Sequence, residues 1–272
     1  MSLQFARLEH RALVRLGGGD WRSFLQGLIS NDVAALAPGE LRFAALLTPQ
    51  GRLLFDLFVG GLDDGCMIDV QASQREALVQ RLSIYRLRAK VEVAAAPGRV
   101  CVLWREGTAS GPVPGAWTPD PRLPALGWRG VDLEPPAGAA AQDDDAYNAF
   151  RLALGVPDPA RDCVADKTYP IEADFDLLNG IDFKKGCYIG QETTSRMKRR
   201  GGIRSRMLPI TFDGPAPASG SEILAGSLRA GEVLSGMPGR AMALLRLDRI
   251  AGAALSVDGR PTQVDPPSWT KT

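Results

Sequence analysis

Histidine is nearly absent: the 272 residues contain one, His10. Zinc and non-haem iron centres usually draw on several histidines or on closely spaced cysteines. A cysteine–histidine dyad would have to fold His10 back against a distant cysteine. Neither chemistry is favoured. The four cysteines, Cys66, Cys101, Cys163 and Cys187, lie far apart and form no Cys-x-x-Cys pair, a spacing that suits a reducing compartment better than a disulfide framework. Long apolar runs are missing too, and a bilayer span needs about 20 such residues. The N-terminal stretch Met1-Ser2-Leu3-Gln4-Phe5-Ala6-Arg7-Leu8-Glu9-His10 lacks the basic start, apolar run and small-residue cleavage site of a secretory leader. These absences predict a cytoplasmic protein with no membrane attachment. Charge excess is the last thing lacking: a formal net charge of +1 creates no global field toward nucleic acid or anionic lipid.

What is present is an ordinary globular composition, 45% apolar and 23% charged, in a chain long enough for two or three subdomains. Residues 11–16 alternate as a strand and end at Gly17-Gly18-Gly19, which lacks the Gly-x-Gly-x-x-Gly order of a dinucleotide site and is a turn. Asp20 is placed to cap a helix carrying Phe24, Leu25, Leu28 and Ile29 on one face. Residues 41–47 and 52–59 are β-rich and flank the turn sequence Thr48-Pro49-Gln50-Gly51, with a third strand at 67–70. Ser73 and Glu76 have capping-box spacing ahead of Ala77, Leu78, Leu82 and Tyr85. Strands are expected at 90–93 and 99–104, a Pro/Gly-rich connection at 107–141, a helix at 143–154 and a small β-barrel from Met207 onward. The order predicts an α+β fold in three parts: 1–95, 96–200 and 201–272.

The most distinctive stretch is Phe183-Lys184-Lys185-Gly186-Cys187-Tyr188-Ile189-Gly190-Gln191-Glu192, followed by Ser195-Arg196. Ammonium neighbours such as Lys185 favour a thiolate at Cys187. Gly186 and Gly190 allow positive φ or close approach of a ligand. Gln191 offers a donor and an acceptor, and Glu192 acceptors only. On chemistry alone two readings stand: a reactive or ligand-binding loop, or an isolated cysteine that is simply a small hydrophobe beside solvated lysines.

The stretch resembles the signature of the YgfZ family, related to the glycine-cleavage T-protein, matching Lys-Gly-Cys-Tyr-x-Gly-Gln-Glu at Lys185 through Glu192 with Arg196 downstream. The resemblance extends to Phe24-Leu25-Gln26-Gly27-Leu28-Ile29-Ser30-Asn31-Asp32-Val33, to Thr48-Pro49-Gln50-Gly51-Arg52 with Asp56, to Tyr85-Arg86-Leu87-Arg88-Ala89-Lys90-Val91, and to Arg151 with Gly155 and Pro157. It implies subdomains arranged around a central folate-binding hole, a C-terminal β-barrel, tetrahydrofolate or a derivative as cofactor, and a role in assembly or repair of iron–sulfur clusters in client enzymes. It also implies assembly proteins as partners, with the chain itself a monomer. By this resemblance Cys187, Lys185 and Asp56 are the reactive candidates. Gly186, Tyr188, Gly190, Gln191, Glu192, Arg196, Asn31 and Glu172 are the candidates for holding folate.

Two departures from the T-protein bear on chemistry. Its Asp-Asp pair is matched by Phe55-Asp56, and its Gly-Tyr-Thr-Gly-Glu segment by Gly127-Trp128-Arg129-Gly130-Val131, so a pterin-binding carboxylate is lost. Aminomethyl transfer or demethylation is therefore the alternative reading rather than the leading one. Asp56 is either a general base or an exposed strand residue. Glu172 either lines the cavity or caps local backbone. The cationic run Arg196, Lys198, Arg199, Arg200, Arg204 and Arg206 suits the glutamate tail of folate, or is a solvated connection. A basic RNA- or protein-binding module is a third reading, weakened for RNA because the run has no interleaved aromatics.

Overall fold

The computed structural model describes residues 2–105, 113, 115–199 and 202–270. Its first two strands go to different sheets. β1 (Leu3–Arg7) pairs with β7 (Val100–Arg105), whereas β2 (Arg11–Gly17) lies between β5 (Gly65–Gln71) and β6 (Glu92–Ala96). β3 (Leu41–Leu47) and β4 (Leu53–Leu62) form the expected hairpin and complete an antiparallel sheet in the order β3-β4-β5-β2-β6. α1 (Trp21–Gln26) and α2 (Arg75–Arg86) bury Leu25, Leu78 and Leu82 against one face of it, with Val14, Leu16, Leu57 and Ile68.

The opposite face is covered as well. Phe43, Leu47 and Phe58 pack there against Ile171, Phe175 and Ile181, and the Phe43 and Phe175 rings stack at 4.5 Å. Burial on both faces explains why β4 reads as a nearly continuous apolar run. Strand alternation then separates neighbours: Phe55 enters the helix-side core, and Asp56 turns to the other face.

A second sheet runs β10-β1-β7-β9-β8, with β8 (Thr118–Pro119), β9 (Trp128–Val131) and β10 (Ala140–Ala141). α3 (Asp144–Ala153) packs Tyr147 and Phe150 on Trp104 of β7. The helix expected at 143–154 is present, and Asp143 caps it, its carboxylate accepting from Ala146 N at 2.8 Å. α4 (Pro159–Asp162) and α5 (Gln191–Arg199) follow. Thus 1–95 and 96–200 do not form separate bodies in sequence order. The first strand joins the later sheet, and 171–188 lies on the earlier one.

Two predicted caps differ. Asp20 makes no cap bond within α1; its carboxylate instead accepts from Lys90 N at 2.8 Å, tying the glycine turn to the approach of β6. Ser73 falls inside a 3₁₀ turn, Ala72–Gln74, so α2 starts too late for the Ser73–Glu76 capping box.

The C-terminal part is a closed barrel in the order β11-β14-β13-β12-β15-β16. It comprises β11 (Ser205–Phe212), β12 (Glu222–Ala225), β13 (Leu228–Met237), β14 (Arg240–Arg246), β15 (Leu255–Val257) and β16 (Arg260–Val264), with the short α6 (Leu247–Ile250) between β14 and β15. Arg151 fastens it to the rest, donating to Asp162 at 2.7 Å and to Ser235 of β13 at 3.3 Å. No helix among the described residues is long and apolar enough to cross a membrane.

Candidate functional site

Residues 183–190 form a loop seated on the β3–β4 hairpin. Lys185 is its anchor. Only 8% exposed, its ammonium is turned inward and donates to the carbonyls of Gln26 (2.9 Å) at the end of α1 and of Ile29 (2.6 Å) and Asn31 (2.7 Å) just past it. Burial pulls the amine down to about 8, with Asp32 and Asp182 acting the other way. The ammonium expected to favour a thiolate at Cys187 is instead engaged by three carbonyls as a structural anchor. Carbonyls left without partners where α1 ends supply the sites that draw the cation away.

Tyr188 is buried under Lys185 Nζ, 5.3 Å from the ring centroid, and its hydroxyl has no hydrogen-bond partner. Gly190 adopts φ +82°, and a Cβ there would lie 2.6 Å from Thr48 O and 3.0 Å from Gly51 Cα. A Cβ on Gly51, at φ +81°, would likewise lie 2.9 Å from Thr193 Cβ and 3.1 Å from Gly190 O. These two glycines let the hairpin turn and the start of α5 touch backbone to backbone. Between the anchors, Gly186 and Cys187 are exposed, and a Cβ on Gly186 would meet nothing within 4 Å. Gln191 and the exposed Glu192 open α5.

A second feature lies on the inner face of the first sheet. Arg11 donates from Nε to Asp69 at 2.5 Å and from Nη1 to Asp56 at 2.7 Å, and Gln71 adds a donor to Asp56 at 2.9 Å. Arg129 of β9 donates to Asp69 at 2.6 Å and lies 3.6 Å from Asp120, which is clasped by Arg122. All six charged groups are buried. The guanidinium carbons of Arg11, Arg122 and Arg129 lie 5.5, 4.9 and 3.8 Å from the centroid of the Phe58 ring. Burial would raise the Asp69 carboxyl, but Arg11 and Arg129 outweigh it and hold the group below the usual carboxylate range. Asp56 is accordingly neither an exposed strand residue nor a free base.

Beside this network opens a cleft of about 280 Å³, walled by Leu13, Phe58, Met67 and Val100, by the backbone of Gly60, Gly61 and Gly130, and by the edges of Asp69 and Arg129. Leu41 is shared with a neighbouring groove of about 620 Å³ that also includes Asn31, Arg42, Asp182 and Lys184. Sequence reasoning missed Arg11, Asp69 and Phe58. The available signal was a charged residue at an inward register position of a strand whose neighbours are apolar.

Of the folate-holding candidates, Asn31 alone lines either space. Even there its amide donates to Phe43 O and Asn179 O, both at 2.7 Å. Gly186, Tyr188, Gly190, Gln191, Glu192, Arg196 and Glu172 line neither, because the loop seats itself on the hairpin and Glu172 accepts from Tyr169 N at 3.1 Å as a local cap. The cationic run is also divided. Arg196, Arg199 and Arg204 are exposed, Arg200 lies outside the described residues, and Lys198 and Arg206 are held by Asp176.

Arg206 also pairs with Asp174 at 2.6 Å. Burial nevertheless pushes the Asp174 carboxyl up to about 7, and its second oxygen has no partner. Between about pH 4 and 7 the native state therefore holds a proton that the unfolded chain has lost. Stability contributed by this group falls as pH rises through that window. Asp174→Asn is expected to flatten the slope by about 3 kcal/mol across it, measured as urea unfolding of both proteins at pH 4.5 and 7.5. Equal slopes would refute the assignment.

Comparison with known proteins follows from this geometry. The crystal structure of the glycine cleavage system aminomethyltransferase T from Bartonella henselae superposes with a TM-score of 0.80 at 16% identity, covering 98% of this chain and 86% of that one. The α+β T-protein fold is thereby shown. The family described as the CAF17 C-terminal beta-barrel domain matches residues 204–272. The human mitochondrial iron–sulfur cluster assembly factor IBA57 is 33% identical over 90% of this chain and 78% of its own. The homologue from Mycosarcoma maydis is 33% identical over 79% of this chain, which spans 60% of that protein's length.

These relatives are named as mitochondrial, which overturns the cytoplasmic expectation. Scattered cysteines speak against an oxidising compartment, and that property does not single out the cytosol. The family signature in 183–192, the T-protein fold and one-third identity across nine-tenths of the chain converge: the chain belongs to the IBA57 family of iron–sulfur cluster assembly factors, within the wider YgfZ and T-protein group that its sequence resembles.

Proposed function

We propose that this protein is an accessory factor in assembly or repair of iron–sulfur clusters, presenting Cys187 to a cluster or iron in transit between partner proteins. The observation that carries the proposal is the contrast within one loop. Lys185, Tyr188 and Gly190 fix it firmly, while Gly186 and Cys187 stand free in solvent. A thiol held out on a rigid mount can give up its proton and take one coordination position on iron, leaving the others to a partner's ligands.

A tetrahydrofolate ring fits the cleft beside Phe58. The walls are largely apolar, glycines at 60, 61 and 130 leave room for a flat ring, and each Asp69 oxygen keeps a lone pair beyond its guanidinium bond for a pterin N–H. Asp69 would thus stand in for the carboxylate lost at 127–131. The benzoyl-glutamate tail would run past Leu41 into the groove carrying Arg42 and Lys184. When bound, a reduced folate supplies a carrier for one-carbon units; the protein's own part is to hold the ring dry and oriented.

The test is deletion of the gene, assay of several iron–sulfur enzymes, and rescue by wild type or Cys187→Ser. The serine variant is expected to restore less than a tenth of client activity, with its melting temperature unchanged because the thiol is exposed. Full rescue would sink the role of Cys187. In parallel, tetrahydrofolate titration of purified wild type is expected to saturate, and a flat titration would remove folate from the scheme.

A further inference from the structure

We propose that the corner where α2 ends and edge strand β6 begins is a docking surface for an acidic strand of a partner protein. Ile84 and Leu87 stand one helical turn apart there and are 61% and 89% exposed. Leu87 adopts φ 47°, ψ −105°, a positive-φ conformation that strains a residue with a side chain. Its side chain buries almost nothing in return within this chain.

Charge around the pair has one sign. Between residues 77 and 99 the basic residues are Arg81, Arg86, Arg88, Lys90 and Arg99, and Glu92 is the sole acid. Nearby Arg15 and Arg75 are paired with Asp64 and Glu76. Arg86 instead gives its hydrogen bond to Val91 O, and among the described residues no ion pair engages Arg81, Arg86, Arg88 or Lys90.

β6 supplies the template. It pairs with β2 on one side and ends the sheet on the other, and Glu92, Ala94 and Ala95 are exposed along it. Natural edges are usually guarded by charge, proline, bulges or a covering element. The small alanines here leave the outer backbone groups open to an added strand, and the neighbouring cations select one rich in carboxylates. Two apolar side chains beside a strand edge suit a peptide better than a lipid surface, which would ask for a longer apolar face. The inference depends on neither the folate cleft nor Cys187.

A photo-crosslinking residue placed at position 84 of the full chain in cells tests it. The expected product is a protein adduct whose captured segment alternates acidic and apolar residues. Adduct yield is expected to fall at least five-fold with Leu87→Asp and with the double change Arg88→Glu, Lys90→Glu, while Cys187→Ser leaves it intact. Leu87→Gly, which relieves the positive φ, is expected to raise the melting temperature by about 2 °C and to weaken the adduct. Any of four outcomes overturns the proposal: no protein adduct, an adduct to lipid, a captured segment without carboxylates, or a yield that Leu87→Asp leaves unchanged although that variant melts like wild type. Loss of the adduct in Cys187→Ser would also overturn it, since the contact would then be made through the motif loop.

Discussion

Asp69→Ala is expected to cost about 3–5 kcal/mol, the range for removing one partner from a buried ion pair. Among the described residues its carboxylate alone binds both Arg11 and Arg129, whose side chains are 3% and 5% exposed. Removal leaves two buried guanidinium groups on the inner face with fewer acceptors. A domain of this size loses roughly 2–4 °C per kcal/mol, so the melting temperature should fall by about 10 °C. Asp56→Ala should cost less, because Arg11 keeps Asp69 and only one contact to Gln71 is lost with it. A loss below 1 kcal/mol for Asp69→Ala would mean that water reaches the network and that the inner face is wet. The same variant should abolish saturable tetrahydrofolate binding if the ring uses Asp69, at temperatures where the protein is still folded.

Much of this architecture was legible in the sequence because it is local. The hairpin at 41–62 announces itself by two β-rich runs around Thr48-Pro49-Gln50-Gly51, and α3 by an acidic first turn and a glycine stop at Gly155. The barrel shows as short β runs between Gly/Pro turns. What was not legible depends on distant partners. Nothing near Leu3–Arg7 says that this strand pairs with Val100–Arg105. Lys185 finds its three carbonyls 154 to 159 residues upstream, so a spacing argument could only assign it to the cysteine beside it. Asp20 and Ser73 fit cap patterns, yet a tertiary bond to Lys90 N and a 3₁₀ turn override them. Family resemblance located the signature, and geometry divided it into residues that mount the loop and residues that stand out from it.

That division gives the sharpest test, because the motif's two glycines should behave oppositely. Gly190→Ala combines a positive φ with a Cβ 2.6 Å from Thr48 O, 2.9 Å from Leu47 Cβ and 3.0 Å from Gly51 Cα. Two of those atoms are backbone in a tight turn and cannot move aside. The left-handed conformation alone costs about 1 kcal/mol, and relieving such contacts brings the loss to about 3 kcal/mol or more. The start of α5 should lift from the hairpin and carry Cys187 with it, so client iron–sulfur enzymes should lose activity together with stability. Gly186→Ala meets no neighbour and requires no positive φ, so its melting temperature should stay within about 1 °C of wild type, as for other surface changes. If a partner's cluster-bearing surface closes over the exposed sulfur, the added methyl group at 186 obstructs that approach, and client activity should fall several-fold in a fully folded protein. Full activity in Gly186→Ala would show that nothing approaches Cys187 from that side. Unchanged stability in Gly190→Ala would show that the loop is not seated on the hairpin at all.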